Sequence, residues 1–290
     1  MVALPQTTRF GAVKVSLYTL RRLWRDLDAE LQEQRKIEQH NADIHLKSGE
    51  KDEGLDAAFR VACIVTRSDN HRDVLYHEDE LVQPPEGVTI SFVLFTNILA
   101  FKEAMNGIEP HHHFEVLLDF TQPRLLDSSV PQSDPTPNPS GLLISGSRAG
   151  WRAGIESAVR KHIKERNRVW SWFHGQFIYD LFLVVFGMPF ALYACWRLAP
   201  LVDGLFGGLS PVVTGGAFVY IGFCSIWLYR LVFSYARWAW PKVELAEQST
   251  PSKTHRRILT WVVVFVATAM VSNLLDVPFV GALAGAIFGR

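Results

Sequence analysis

Cysteine is scarce. Cys63, Cys195 and Cys224 are the three in 290 residues, too few and too scattered for a disulfide framework or a zinc site. Two of them, Cys195 and Cys224, sit inside apolar runs, where a thiol behaves as a small hydrophobe. Excess charge is missing as well. Lys+Arg and Asp+Glu both total 29, and this balance gives no reason to expect nucleic acid as a partner. The N-terminal stretch holds Arg9 and Lys14 but no continuous apolar core, so a cleavable signal peptide is not expected and the N-terminus is expected in the cytosol. Catalytic signatures are wanting too: GxSxG, HExxH, a phosphate loop, GxGxxG and paired CxxC do not occur. The sequence therefore leans away from an enzyme and implies no cofactor and no bound metal.

What the chain has in quantity is apolar length after Phe173. Three runs, at 177–196, 212–229 and 258–275, are long enough for a helix to cross roughly 30 Å of hydrocarbon. Asp180 is the one charge in the first run. Tryptophans flank the runs (Trp170, Trp172, Trp196, Trp238, Trp240, Trp261), where the indole meets both apolar and polar surroundings. Basic residues crowd the stretch before the first run and the connection between the second and third, whereas Leu198 to Pro211 has no Lys or Arg. The positive-inside rule then predicts a multi-pass protein of the cytoplasmic (inner) membrane with its N-terminal domain in the cytoplasm. The tail 278–290 is too short to span alone and reads as a glycine-rich short helix or re-entrant segment. Gly281, Gly285 and Gly289 recur at four-residue spacing, which lets helices approach closely in lipid. Asp276 is costly at membrane depth unless it meets water or a partner such as Arg230.

The first half reads differently. Residues 1–44 are expected to supply an amphipathic helix, with Leu17, Leu20, Trp24, Leu27 and Leu31 on one face. A polar stretch follows, and then a cytosolic α+β domain at 57–169. Strands are expected at Phe59–Thr66, Val88–Thr96, His113–Phe120 and Leu142–Ser145, with a helix from about Gly150 to Asn167. The predicted class is thus a mostly antiparallel sheet backed by helices, followed by a transmembrane bundle of about three spans.

Two segments are candidates for holding an anionic ligand. Arg67, Asp69, His71 and Arg72 follow the first strand, and their side chains can converge on a phosphate or form an ordinary turn. Arg148 and Arg152 stand at the predicted start of the helix after the last strand, with Ser147 as a candidate cap. His111, His112 and His113 attract attention as metal ligands, yet adjacent residues of a strand point to opposite faces, so only His111 and His113 could share an ion.

This layout, a cytosolic module ahead of a few spans, resembles that of bacterial antiviral-defence membrane effectors, a resemblance of plan that carries no diagnostic motif. It implies a receptor or effector, acting as a homo-oligomer in the lipid bilayer. A small ligand or cytosolic protein would change the packing of its helices, and if the bundle forms an ion-conducting pore, its opening would depolarise the membrane. Two other classes compete: a membrane-anchored scaffold that recruits cytosolic partners, and a membrane-bound metal enzyme. A secondary transporter fits least, since three spans are few and no inverted repeat is visible.

Overall fold

The computed structural model describes residues 5–43, 57–125, 132–164, 168–248 and 250–275. Strands β1 (Gln6–Arg9), β3 (Ala62–Arg67), β4 (Arg72–Leu75), β5 (Ile90–Thr96), β6 (His113–Asp119) and β7 (Gly141–Ser145) form one antiparallel sheet in the order β1-β7-β6-β5-β3-β4. Alternation decides which face is buried. Register brings Cys63 opposite Phe95, Phe95 opposite Val116 and Val116 opposite Leu142, so one apolar row runs across four strands. The intervening residues Phe92, Leu94, Leu117 and Leu143 form a second row that is only half-buried.

Two helices cover the first row. Helix α1 (Leu17–Asp43) lays Leu20, Leu23, Trp24, Leu27 and Leu31 on it. Burying each such side chain stabilises by about 1.5–3 kcal/mol. Trp24 meets Phe95 edge to face at 5.7 Å. Ser16 begins α1 by accepting the Thr19 amide, which satisfies one donor of the open first turn. Helix α2 (Ile98–Ala104) is a short element after β5, and α3 (Ala149–His162) adds Trp151, Ile155 and Val159 to the same core.

The N-terminal segment departs from the sequence expectation. The helix occupies only part of 1–44, because residues ahead of it are extended: β1 pairs with β7, and β2 (Val13–Val15) pairs in parallel with β8 (Val243–Leu245). That second pair joins opposite ends of the chain. Val13 donates to the Lys242 carbonyl at 2.8 Å and Ala246 donates to the Val15 carbonyl at 2.7 Å. Val243 and Leu245 are buried in the same core as α1 and the sheet. The connection between the second and third apolar runs is therefore part of the N-terminal domain's interior.

After α4 (Arg168–Phe173) come two helices long and apolar enough to cross a membrane, α5 (Ile178–Phe206) and α6 (Pro211–Ala239). Both outlast their sequence estimates of 177–196 and 212–229, since helix continues through Pro200 in one and to Ala239 in the other. Few of their residues are buried, and Val184, Phe186, Leu192, Tyr220 and Phe223 are exposed, the reverse of a soluble core helix. Within α5, Leu183–Gly187 is a π-helical turn. Pro189 follows it and has no N–H to give the preceding turn. Gly187 also permits a close approach of α6: an added Cβ would stand 3.0 Å from the Tyr229 ring. The third run, 258–275, lies in α7 (Pro251–Leu275), where Ile258, Trp261 and Val264 are exposed. The expected short helix at 278–290 falls outside the described residues.

Candidate functional site

The hairpin candidate is occupied by its own partners. Arg67 pairs with Asp73, and His71 Nε2 lies 3.0 Å from Asp73 Oδ1. Asp69 accepts the His71 amide at 3.0 Å, as short turns do. Arg72 is exposed at the start of β4. These four residues are brought together, but as a self-neutralised turn.

Arg148 has been drawn into a different network. Its Nη1 donates to Gln34 Oε1 at 2.6 Å, while the buried Gln34 amide reaches Glu38 at 2.6 Å and His112 Nδ1 at 3.2 Å. Burial, the largest cause, holds the His112 pKa below its ordinary value. Arg148, not Ser147, takes the N-cap position of α3, and its side chain makes no capping bond. The Ser147 hydroxyl instead meets His111 Nε2 at 3.2 Å. Gly146 turns the chain here with φ +146°, and a Cβ would press on the His112 ring at 2.6 Å. Arg152 is one turn along, half-buried, and its Nε finds no partner among the described residues. His113 bonds the Pro110 carbonyl, and among the described residues no three His, Cys, Asp or Glu side chains are grouped to hold a metal. Burial pushes the Cys63 thiol up, away from the thiolate a nucleophile needs.

The densest polar contacts that sequence did not point to lie where the sheet domain meets α5 and α6. Residues 132–134, ahead of β7, are bonded to both. Phe177 donates its amide to the Ser133 carbonyl at 2.9 Å, and the Ser133 hydroxyl donates to Asp180 at 2.8 Å. Ser234 on α6 donates to Gln132 Oε1 at 3.2 Å. Arg237, also on α6 and buried, donates to the Gln132 and Asp134 carbonyls at 3.2 and 3.4 Å while its guanidinium lies 4.8 Å from the Phe233 ring centre. His174 closes the junction. It is 3% exposed, its Nδ1 meets the Thr136 hydroxyl at 2.9 Å, and its carbonyl accepts the Thr136 amide at 3.1 Å. Burial first, then the charges of Arg237 and Lys242, push its pKa down to about 4.

The entry to α5 is strained. Phe177 sits at φ 61°, a left-handed conformation that costs a bulky residue roughly 1–2 kcal/mol. The Ser133 bond holds it there. On the other side, Arg256 of α7 donates to the Ala239 carbonyl at 3.0 Å and to Glu244 at 3.3 Å, and Gln122 reaches Ser252 at 2.9 Å. Every long C-terminal helix is thus bonded to the segments that complete the sheet domain.

Of the membrane candidates, Arg230 is half-buried on α6. Asp276, Gly281, Gly285 and Gly289 lie outside the described residues. The signal that sequence gave for the junction is Asp180, the one charge in the first apolar run, which needs a partner there and has one in Ser133. No protein-family model, no curated protein and no solved structure matches this chain.

Proposed function

We propose that the chain is a multi-pass membrane receptor or effector. Its sheet domain, on the cytosolic side, binds a ligand or protein partner and sets the packing of an oligomeric bundle built from α5, α6 and α7. In its open state that bundle conducts ions. The observation that carries this reading is the junction: β8, between two of the bundle's helices, completes the sheet domain's core, and the 132–140 connection is bonded to α5 and α6. A shift of the domain must therefore move helix ends, which is what coupling requires. The strained Phe177 and the π-helical turn below it give α5 two points where backbone geometry departs from regular helix. The basic residues around the junction support the cytosolic side. The process served would be of the kind the antiviral-defence effectors serve, and this rests on layout alone.

The test is ion flux through the purified full chain in sealed liposomes, with oligomeric mass measured in the same detergent. The expected result is an oligomer whose flux is altered by Gly187→Val, which wedges α5 from Tyr229 of α6. A monomer that conducts nothing, even with cell extract supplied, refutes the pore. A scaffold is the second reading, favoured by the half-buried apolar row of Phe92, Leu94, Leu117 and Leu143. Replacing the helices with an unrelated anchor would preserve a scaffold's function and abolish a channel's.

A further inference from the structure

Strands β1 and β7 and the second half of α3 enclose a groove of about 420 Å³. Its floor is apolar, built from Phe10, Leu142, Val159 and Ile163. Arg9, Arg160 and Lys164 stand at its rim and are exposed. One acid shares the lining: Glu156 bonds Arg160 at 2.6 Å across one helical turn. Such exposed pairs hold their partners weakly, so the guanidinium remains free to turn to a better anion. The groove is thus basic above and greasy below, which is the pattern of an anionic amphiphile.

Its position narrows the occupant. Phe10, at one end, donates to Ser140, and Ala12 donates to Ser171 Oγ on α4 at 3.1 Å. The next residue, Trp172, begins the exposed apolar surface that continues through Phe177, Leu181 and Val184. The groove therefore opens beside the level at which apolar side chains start to face outward. A free metabolite would have no use for that placement, whereas a lipid headgroup lies at that level.

We propose that this groove seats an anionic phospholipid of the leaflet nearest the sheet domain. Arg9, Arg160 and Lys164 hold the phosphate, and the apolar floor takes the glycerol and first methylenes. The volume is that of a small-ligand site, so the rest of the acyl chains stays in the leaflet. Binding there ties β1 to α3 and so bears on the junction. The proposal rests on the membrane reading of α5 and α6.

The experiment uses the full chain in phosphatidylcholine nanodiscs doped with phosphatidylglycerol carrying a diazirine near its glycerol. A matched phosphatidylcholine probe is the comparison, and crosslinks are mapped by mass spectrometry. The expected result is labelling of residues 8–10 and 159–164 by the anionic probe. It should survive millimolar inorganic phosphate and fall roughly fivefold or more in the Arg9→Gln, Arg160→Gln, Lys164→Gln variant, whose exposed substitutions leave the fold intact. Equal labelling by the zwitterionic probe, unchanged labelling in the variant, or displacement by inorganic phosphate would each overturn the proposal. A chain that incorporates into nanodiscs but labels only along 178–239 overturns the groove and leaves the membrane reading standing. A chain that does not incorporate overturns both.

Discussion

Acid should open the junction through His174. Its ring is buried between the 132–140 connection, α6 and the segment that follows it, and faces the Arg237 and Lys242 charges. Protonation is disfavoured in the closed state, where the pKa is pushed down to about 4, but not in an open state near the ordinary 6.5. The stability of closure is therefore fully present above the open-state value. It is lost progressively as pH falls from 6.5 toward 4. At about pH 4.5 the open state is almost fully protonated and the closed state mostly is not, so the loss is about 2–3 kcal/mol, or between one and two orders of magnitude in the opening equilibrium. Hydrogen exchange reads this directly, because the Thr136 and Phe177 amides are bonded across the junction. Protection of these amides, corrected for intrinsic exchange, should fall by about that factor between about pH 7.5 and pH 4.5. In His174→Gln the pH-dependent part should vanish, whatever the substitution costs at neutral pH. An equal fall in wild type and His174→Gln would refute the reasoning.

Three further outcomes follow from geometry. Leu245→Ala empties a buried place in the shared core and should cost about 2–5 kcal/mol, visible as faster exchange in α1 and 13–15; unaltered exchange there would contradict the role given to β8. Gln34→Leu leaves the Arg148 guanidinium and His112 without a buried partner and should cost about 1–3 kcal/mol, measured by thermal unfolding of the detergent-solubilised chain. Arg67→Gln removes a partly exposed pair with Asp73 and should change stability by less than about 1 kcal/mol; a larger drop would mean the hairpin does more than turn.

The strands that sequence made legible are those dense in apolar, β-branched and aromatic residues. ISFVLFT and HFEVLLD, in β5 and β6, are rich in β-branched, aromatic and leucine side chains over a strand's length. β4 reads RDVL and is too polar and short to stand out. β2 and β8 contribute three residues each, from opposite ends of the chain, and nothing local marks such a pair. The helix at 149–162 announced itself by the spacing of Trp151, Ile155 and Val159, but its start did not, because the positive φ of Gly146 carries the turn that a capping serine suggested. The junction was nearly silent. Ser133, Thr136 and Gln132 are ordinary loop residues, and only the location of their partners gives them meaning.

The pairing of β2 with β8 also sets an order of events during synthesis. The ribosome delivers β2 early, but its partner emerges only after α5 and α6 have been made. Until then Val13 and Val15 lack the strand that buries them, and the domain waits incomplete. If α5 and α6 insert into a bilayer as proposed, insertion in the wrong register brings Val243–Leu245 back at the wrong place and leaves β2 and β8 unpaired. Such a chain presents what proteases and chaperones read as unfinished. On the proposed membrane reading, the same two short strands that tie the domain to its helices act as an inspection step, passed only by molecules whose helices have inserted in the right register.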